Sequence, residues 1–194
     1  ARRPAEHFRV FTTVPEWFLR PTVPRFSYHP VRVDLGLVQK EALTEDLEAT
    51  LAELDRCLPF PENLVNELAR AVAGCHAVLC DIAALGIAVA AAAGLPAVLI
   101  ENFTWDWIYE SYLATHPGFA RHVEYLRAWY ARADFHLQTE PVCAAYPGAL
   151  TVAPVSRAPQ RPATAVRRAL GVPETARLVL VSMGGVASVI PGLE

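Results

Sequence analysis

From Ile82 to Ile100 the chain carries no charged residue, and Gly94-Leu95-Pro96 divides that run into an alanine-rich part and a short β-prone part. Glycine ends helices in the left-handed conformation and proline cannot continue them, so the first part reads as a helix stopped at Gly94. The second part, Ala97 to Ile100, reads as a strand. Ahead of the helix, His76-Ala77-Val78-Leu79-Cys80 is a second apolar strand with Asp81 at its tip. Strand, helix and strand in so short a span make a right-handed crossover between parallel strands. A membrane span would need about 20 uninterrupted apolar residues, which the break at 94–96 denies. The chain is therefore expected to be an α/β protein built on a parallel sheet.

The flanking sequence extends this pattern. Phe8 to Thr13 is β-rich and ends before Pro15, and Arg25–Pro30 and Val31–Asp34 read as short extended pieces ended by Gly36. Thr44 is placed to cap a helix carrying Leu47, Leu51 and Leu54, with Glu45 and Asp46 near its positive end. A second helix runs from Glu62 to about Ala73. Further helices are expected at Trp105–Leu113 and Pro117–Ala133, then a strand at Phe135–Thr139. Three parts follow: a Rossmann-like domain over 1–140, a proline- and alanine-rich connector over 141–162, and the start of a second α/β domain over 163–194. The last has a helix at Ala163–Leu170 and a strand at Arg177–Ser182 that enters Met183-Gly184-Gly185. A doubly wound domain opens with a strand, a ligand-binding turn and a helix. That opening unit, like most of the second domain, is expected to lie outside these 194 residues.

Composition excludes several classes. Net charge is −3 and the isoelectric point about 6.1, so there is no basic field to hold a nucleic-acid backbone. The four cysteines form no C-x-x-C pair and read as free thiols of a reducing cytoplasm. The six histidines are scattered without an H-x-H or H-x-x-x-H spacing, so no metal is expected. A small molecule is the expected partner.

Its site is expected at Glu101-Asn102-Phe103-Thr104-Trp105-Asp106-Trp107-Ile108-Tyr109, just past a strand end, where open α/β sheets bind ligands. Sugar rings stack on aromatic faces while amides, hydroxyls and carboxylates meet the sugar hydroxyls. Asn102, Thr104, Trp105, Trp107, Tyr109 and Gln39 are candidates for substrate binding. Asp106, Glu101 and Asp81 are candidates for a catalytic base. Each has a plainer alternative: Asp81 as a helix N-cap, Asp106 as a first-turn acid on the helix dipole, and one tryptophan in the core. Asp34-Leu35-Gly36-Leu37-Val38-Gln39 sets an acid and an amide around a glycine, which a turn also explains. Gly184 and Gly185 could let a nucleotide phosphate approach the backbone, though they form no Walker or Rossmann fingerprint.

Taken together, Val10–Phe18, Asp34–Leu43, the Asp81 strand end and Asn102–Tyr109 resemble the glycosyltransferase-like N-terminal domain of L-arabinokinases and of related bacterial stand-alone proteins. That resemblance implies a GT-B arrangement, with two Rossmann-like domains facing one cleft. The first commonly holds an acceptor and the second a nucleotide sugar, here expected as a UDP-linked donor with no other cofactor. It implies transfer of a sugar to an acceptor. The rival readings are a non-catalytic sugar-binding module serving a sugar kinase, and a nucleotide-sugar epimerase or hydrolase of the same architecture.

Overall fold

The computed structural model describes residues 6–181. Strand β1 (Phe8–Phe11) leads through the short helix α1 (Glu16–Leu19) to β2 (Phe26–His29), which pairs with β1 in parallel. A small hairpin, β3 (Gln39–Glu41) and β4 (Thr44–Glu45), precedes helices α2 (Leu47–Cys57) and α3 (Glu62–Ala71). The chain continues through β5 (Val78–Asp81), α4 (Ala84–Ala93), β6 (Ala97–Glu101) and α5 (Trp105–Glu110). It then passes a 3-10 turn at Pro117–Phe119 to α6 (Ala120–Tyr130), β7 (Phe135–Thr139), β8 (Leu150–Val152) and α7 (Ala163–Ala169). Strands β5, β6, β7 and β8 form one four-stranded sheet in that order, parallel throughout. The fold is α/β and Rossmann-like, with helices packed on the sheet. No helix among the described residues is long and apolar enough to cross a membrane.

Helix α4 is the centre of the packing. It is apolar on every side, as a helix with no solvent face must be, and buries Ala84, Leu85, Ile87, Ala88, Val89 and Ala90. One side meets Cys80, Ala97 and Leu99 of the sheet; the other meets Leu68 of α3 and Val72 just beyond it, together with Phe11, Val31 and Val33. Helix α4 thereby ties the β1–β2 pair to the four-stranded sheet. Gly94 closes it at φ 64°. Strand register puts Val78, Cys80, Leu99, Glu101, His136 and Gln138 on the sheet face toward the helices. The opposite face carries Leu79, Phe135 and Leu150, which remain exposed.

Two local expectations are corrected, and one stretch gains a strand. Asp46, not Thr44, caps α2: its Oδ1 accepts from the Ala49 amide at 3.0 Å, while Thr44 is taken into the hairpin beyond Leu43, which stands at φ 65°. The stretch expected as a connector contains β8, because Leu150–Val152 finds the open edge of β7. Residues 177–181 form no strand, although Leu178, Val179, Leu180 and Val181 are apolar; each is exposed, and no strand pairs with them among the described residues. Ser182, Gly184 and Gly185 lie outside the described residues.

Gly86 faces Cys80, and a Cβ added there would stand 2.7 Å from the sulfur. Gly86→Ala is expected to cost about 1–3 kcal/mol through overpacking. Adding Cys80→Ala, which removes the sulfur, should recover most of that loss in urea unfolding. Strict additivity of the two changes would show that the contact is not what holds a glycine there.

Candidate functional site

Two segments far apart in sequence interlock, one following β2 and the other following β6. Asp34 sits at the centre. Its Oδ2 accepts from Trp105 Nε1 at 2.6 Å and its Oδ1 from the Leu35 amide at 2.9 Å. The Trp105 ring stacks on Tyr109 with centroids 5.7 Å apart, and Phe103 meets it edge-on at 5.2 Å. Tyr109 is fully buried, stacks in turn on Phe119, and donates its hydroxyl to the Gly36 carbonyl at 3.0 Å. Gly36 stands at φ 62°, and a side chain there would press on the Trp105 ring at 3.4 Å. Both conditions favour glycine at that turn.

Asp34, Leu35, Trp105 and Tyr109 help to wall a cavity of about 160 Å³. Its interior is largely apolar, lined by Leu54, Leu58, Phe60 and Leu126 besides Tyr109 and Tyr130, while Arg32 and Arg56 stand at its exposed rim. Tyr130 donates to the carbonyl of Ile82 at 2.7 Å. Ile82 itself adopts φ 58°, a conformation that a β-branched residue takes only under constraint. Burial pushes both phenols, Tyr109 and Tyr130, well above the ordinary tyrosine value, so they act as hydrogen-bond donors. Burial also raises the Asp34 carboxyl. The Trp105 and Leu35 donors pull it back in part, and the nearby charge of Asp81 adds to the rise.

Of the residues singled out from sequence, Trp105 and Tyr109 line this cavity, whereas Asn102, Thr104, Trp107 and Asp81 lie outside its lining. Asp81 is exposed at the carboxyl end of β5, and its carboxylate makes no hydrogen bond or ion pair among the described residues. Asn102 follows the end of the neighbouring strand β6; its carbonyl accepts from the Cys143 amide at 2.8 Å. Thr104 stands at the N-cap of α5 without a side-chain capping bond, and Trp107 is 41% exposed. Gln39 is exposed on the hairpin.

The other two carboxylates are engaged. Glu101, 4% exposed, accepts from Gln138 Nε2 at 2.7 Å and lies 2.7 Å from His136 Nε2. Gln138 also donates to the Ala144 carbonyl and accepts from the Tyr146 amide, so this cluster anchors the loop before β8. Asp106, 8% exposed, pairs through Oδ2 with Arg127 at 3.2 Å, and the same guanidinium reaches Glu110 at 3.1 Å. That pairing clamps α5 to α6. Oδ1 of Asp106 has no hydrogen-bond partner among the described residues. No group of three or more metal-ligating side chains occurs among the described residues.

Asp34 is the residue that sequence reasoning undervalued. Its signal was present: an acid in an apolar run, two places before a glycine. What made it a turn candidate rather than a site was the absence of any local sign that Trp105, 71 positions on, would meet it.

No family model matches the chain, and no solved structure matches it. Among curated proteins it is similar to L-arabinokinase of Arabidopsis thaliana, with 28% identity over 186 residues. The alignment covers 91% of this chain and 18% of that protein, so the chain spans less than a fifth of that relative's length.

The raised Asp34 carboxyl has a stability consequence whose sign is fixed. Because its native value lies above the ordinary 3.8, the folded chain binds the proton more tightly than the unfolded chain over that window. Stability from this group is complete below 3.8 and declines as pH rises through the native value. Asp34→Asn should flatten that part of the pH profile in urea unfolding. Parallel profiles for the two proteins would contradict it. Trp105→Phe, which removes the indole donor, should cost about 1–3 kcal/mol.

Proposed function

We propose that this chain is a sugar-recognition domain of glycosyltransferase-like architecture, acting within a larger sugar-kinase-related protein. The observation that carries the reading is the Asp34 cavity. A carboxyl with lone pairs to spare, fixed by an indole N–H and surrounded by tyrosine rings, is the mixture of apolar faces and few oriented polar groups that carbohydrate recognition requires. Similarity to a stretch of L-arabinokinase supports the association with a sugar kinase.

A second reading, sugar transfer from a UDP-linked donor, is favoured by one feature: Asp81. Among the candidate carboxylates it alone has both oxygens uncommitted at a strand end, where an acceptor hydroxyl could be deprotonated. Asn102, on the neighbouring strand, would then orient that acceptor.

Calorimetry of the protein with free pentoses, free hexoses and UDP-sugars tests the first reading. A monosaccharide is expected to bind, and Asp34→Asn to weaken it by about 1–2 kcal/mol while the fold is retained. Binding of none of these compounds would overturn it. Transfer of radiolabelled sugar to an acceptor, lost in Asp81→Asn, would establish the second reading instead.

A further inference from the structure

The four strands of the main sheet lie side by side in chain order, and right-handed crossovers in such an order place every connecting helix on the same face. Helices α4, α5 and α6 accordingly share one core with Cys80, Ala97 and Leu99. The opposite face is bare among the described residues. Register sets Leu79, Val98, Ile100, Phe135, Leu137 and Leu150 on it. Leu79 is 57% exposed, Phe135 61% and Leu150 62%, while the others are half-buried only by their neighbours in the sheet. Asp81 is the one charged side chain that the register puts on this face, and it stands at the very end of the edge strand β5, where it keeps its water. Parallel sheets normally have both faces covered, because they carry apolar side chains on both.

We infer that this face docks a second copy of the chain, sheet against sheet, in a two-fold dimer centred on Phe135. Width points to a sheet as the occupant. Leu79 and Leu150 lie on the two edge strands, three strand spacings or about 14 Å apart, and both are exposed. A single helix, about 10 Å across, would leave one of them in water. Area agrees with a dimer. With about 200 Å² for a large apolar side chain, the exposed fractions leave roughly 550 Å² of this face open, so two copies bury about 1,100 Å², the low end of specific interfaces. The contact is also self-complementary: Phe135 projects beside the smaller Val98, its register partner on β6, so the Phe135 ring of each copy can pack over the β6 strand of the other. The Asp34 cavity opens among the helices on the far side of the sheet and stays accessible in such a dimer.

Sedimentation velocity of the full chain, from low micromolar to several hundred micromolar, provides the test. A reversible monomer–dimer equilibrium is expected, with a dissociation constant in the micromolar range, as an interface of this modest size implies. Phe135→Glu puts a charge at the centre of the contact and should weaken the dimer about a hundredfold. Because Phe135 is exposed, the circular dichroism and urea unfolding of that variant should match the parent's. Leu79→Glu, on a different strand of the same face, should weaken the dimer as well. Trp17→Glu removes an equally exposed aromatic that lies outside this sheet and should leave the dimer intact, which separates a specific face from general stickiness. A monomer at every concentration would overturn the inference, as would a dimer that survives both sheet-face variants or is lost equally in Trp17→Glu. Open-ended assembly would also overturn it, since a two-fold contact closes at two copies.

Discussion

The hydrogen bond from the Trp105 indole to Asp34 joins the segment that follows β2 to the segment that follows β6, and much of the structure's polar organisation depends on that junction. Once Trp105 is held, its ring supports Tyr109, which buries against Phe119 and reaches back to the Gly36 carbonyl. Tyr112, one turn further, donates to Glu45 of the hairpin at 3.2 Å, so the strip 34–45 is fastened to α5 and the residues just after it at three points. A carboxylate removed from water without a donor is costly, and Trp105 and the Leu35 amide supply two. The cavity beside Asp34 exists because these two segments meet as a polar seam within an apolar layer.

Four carboxylates gather around the carboxyl ends of the strands, and their environments divide their work. Glu101 faces the helices and orders the loop before β8 through Gln138; Asp106 holds α5 to α6 through Arg127. Removing either partner would leave a buried acid unpaired, which is the expensive way to break such a contact. Asp34 is partly buried with its proton affinity raised, and Asp81 is exposed and unengaged. The four environments differ: two of these acids are taken up by structural pairing, one is half-buried beside the cavity, and one is left exposed at a strand end.

The parallel sheet and the helix that centres it were legible because their signals are local. An uncharged run broken by Gly94 and Pro96 has few other solutions, and the helix ends at Gly94 as its left-handed conformation allows. Two residues, Thr44 and Asp46, compete for the cap of α2, and the hairpin turn at Leu43, a tertiary feature, decides for Asp46. Strand β8 has only three residues among prolines and glycine, too few to show a period; pairing with β7 makes it a strand. The aromatic run 103–109 is chemically unusual in the sequence alone, but nothing local shows that Trp105 and Tyr109 turn inward while Trp107 turns out. That partition is set by Asp34 and Gly36, whose contribution is tertiary.

The indole N–H resonances of the protein offer the most direct measurement of the central claim. The chain has four tryptophans, Trp17, Trp105, Trp107 and Trp129, and only the Trp105 indole touches Asp34. In a titration with the monosaccharide that binds, the Trp105 signal should shift and saturate with the calorimetric affinity while Trp107 stays in place. A shift of Trp107 with Trp105 unmoved would put the ligand on the exposed strand ends and contradict the account of the cavity.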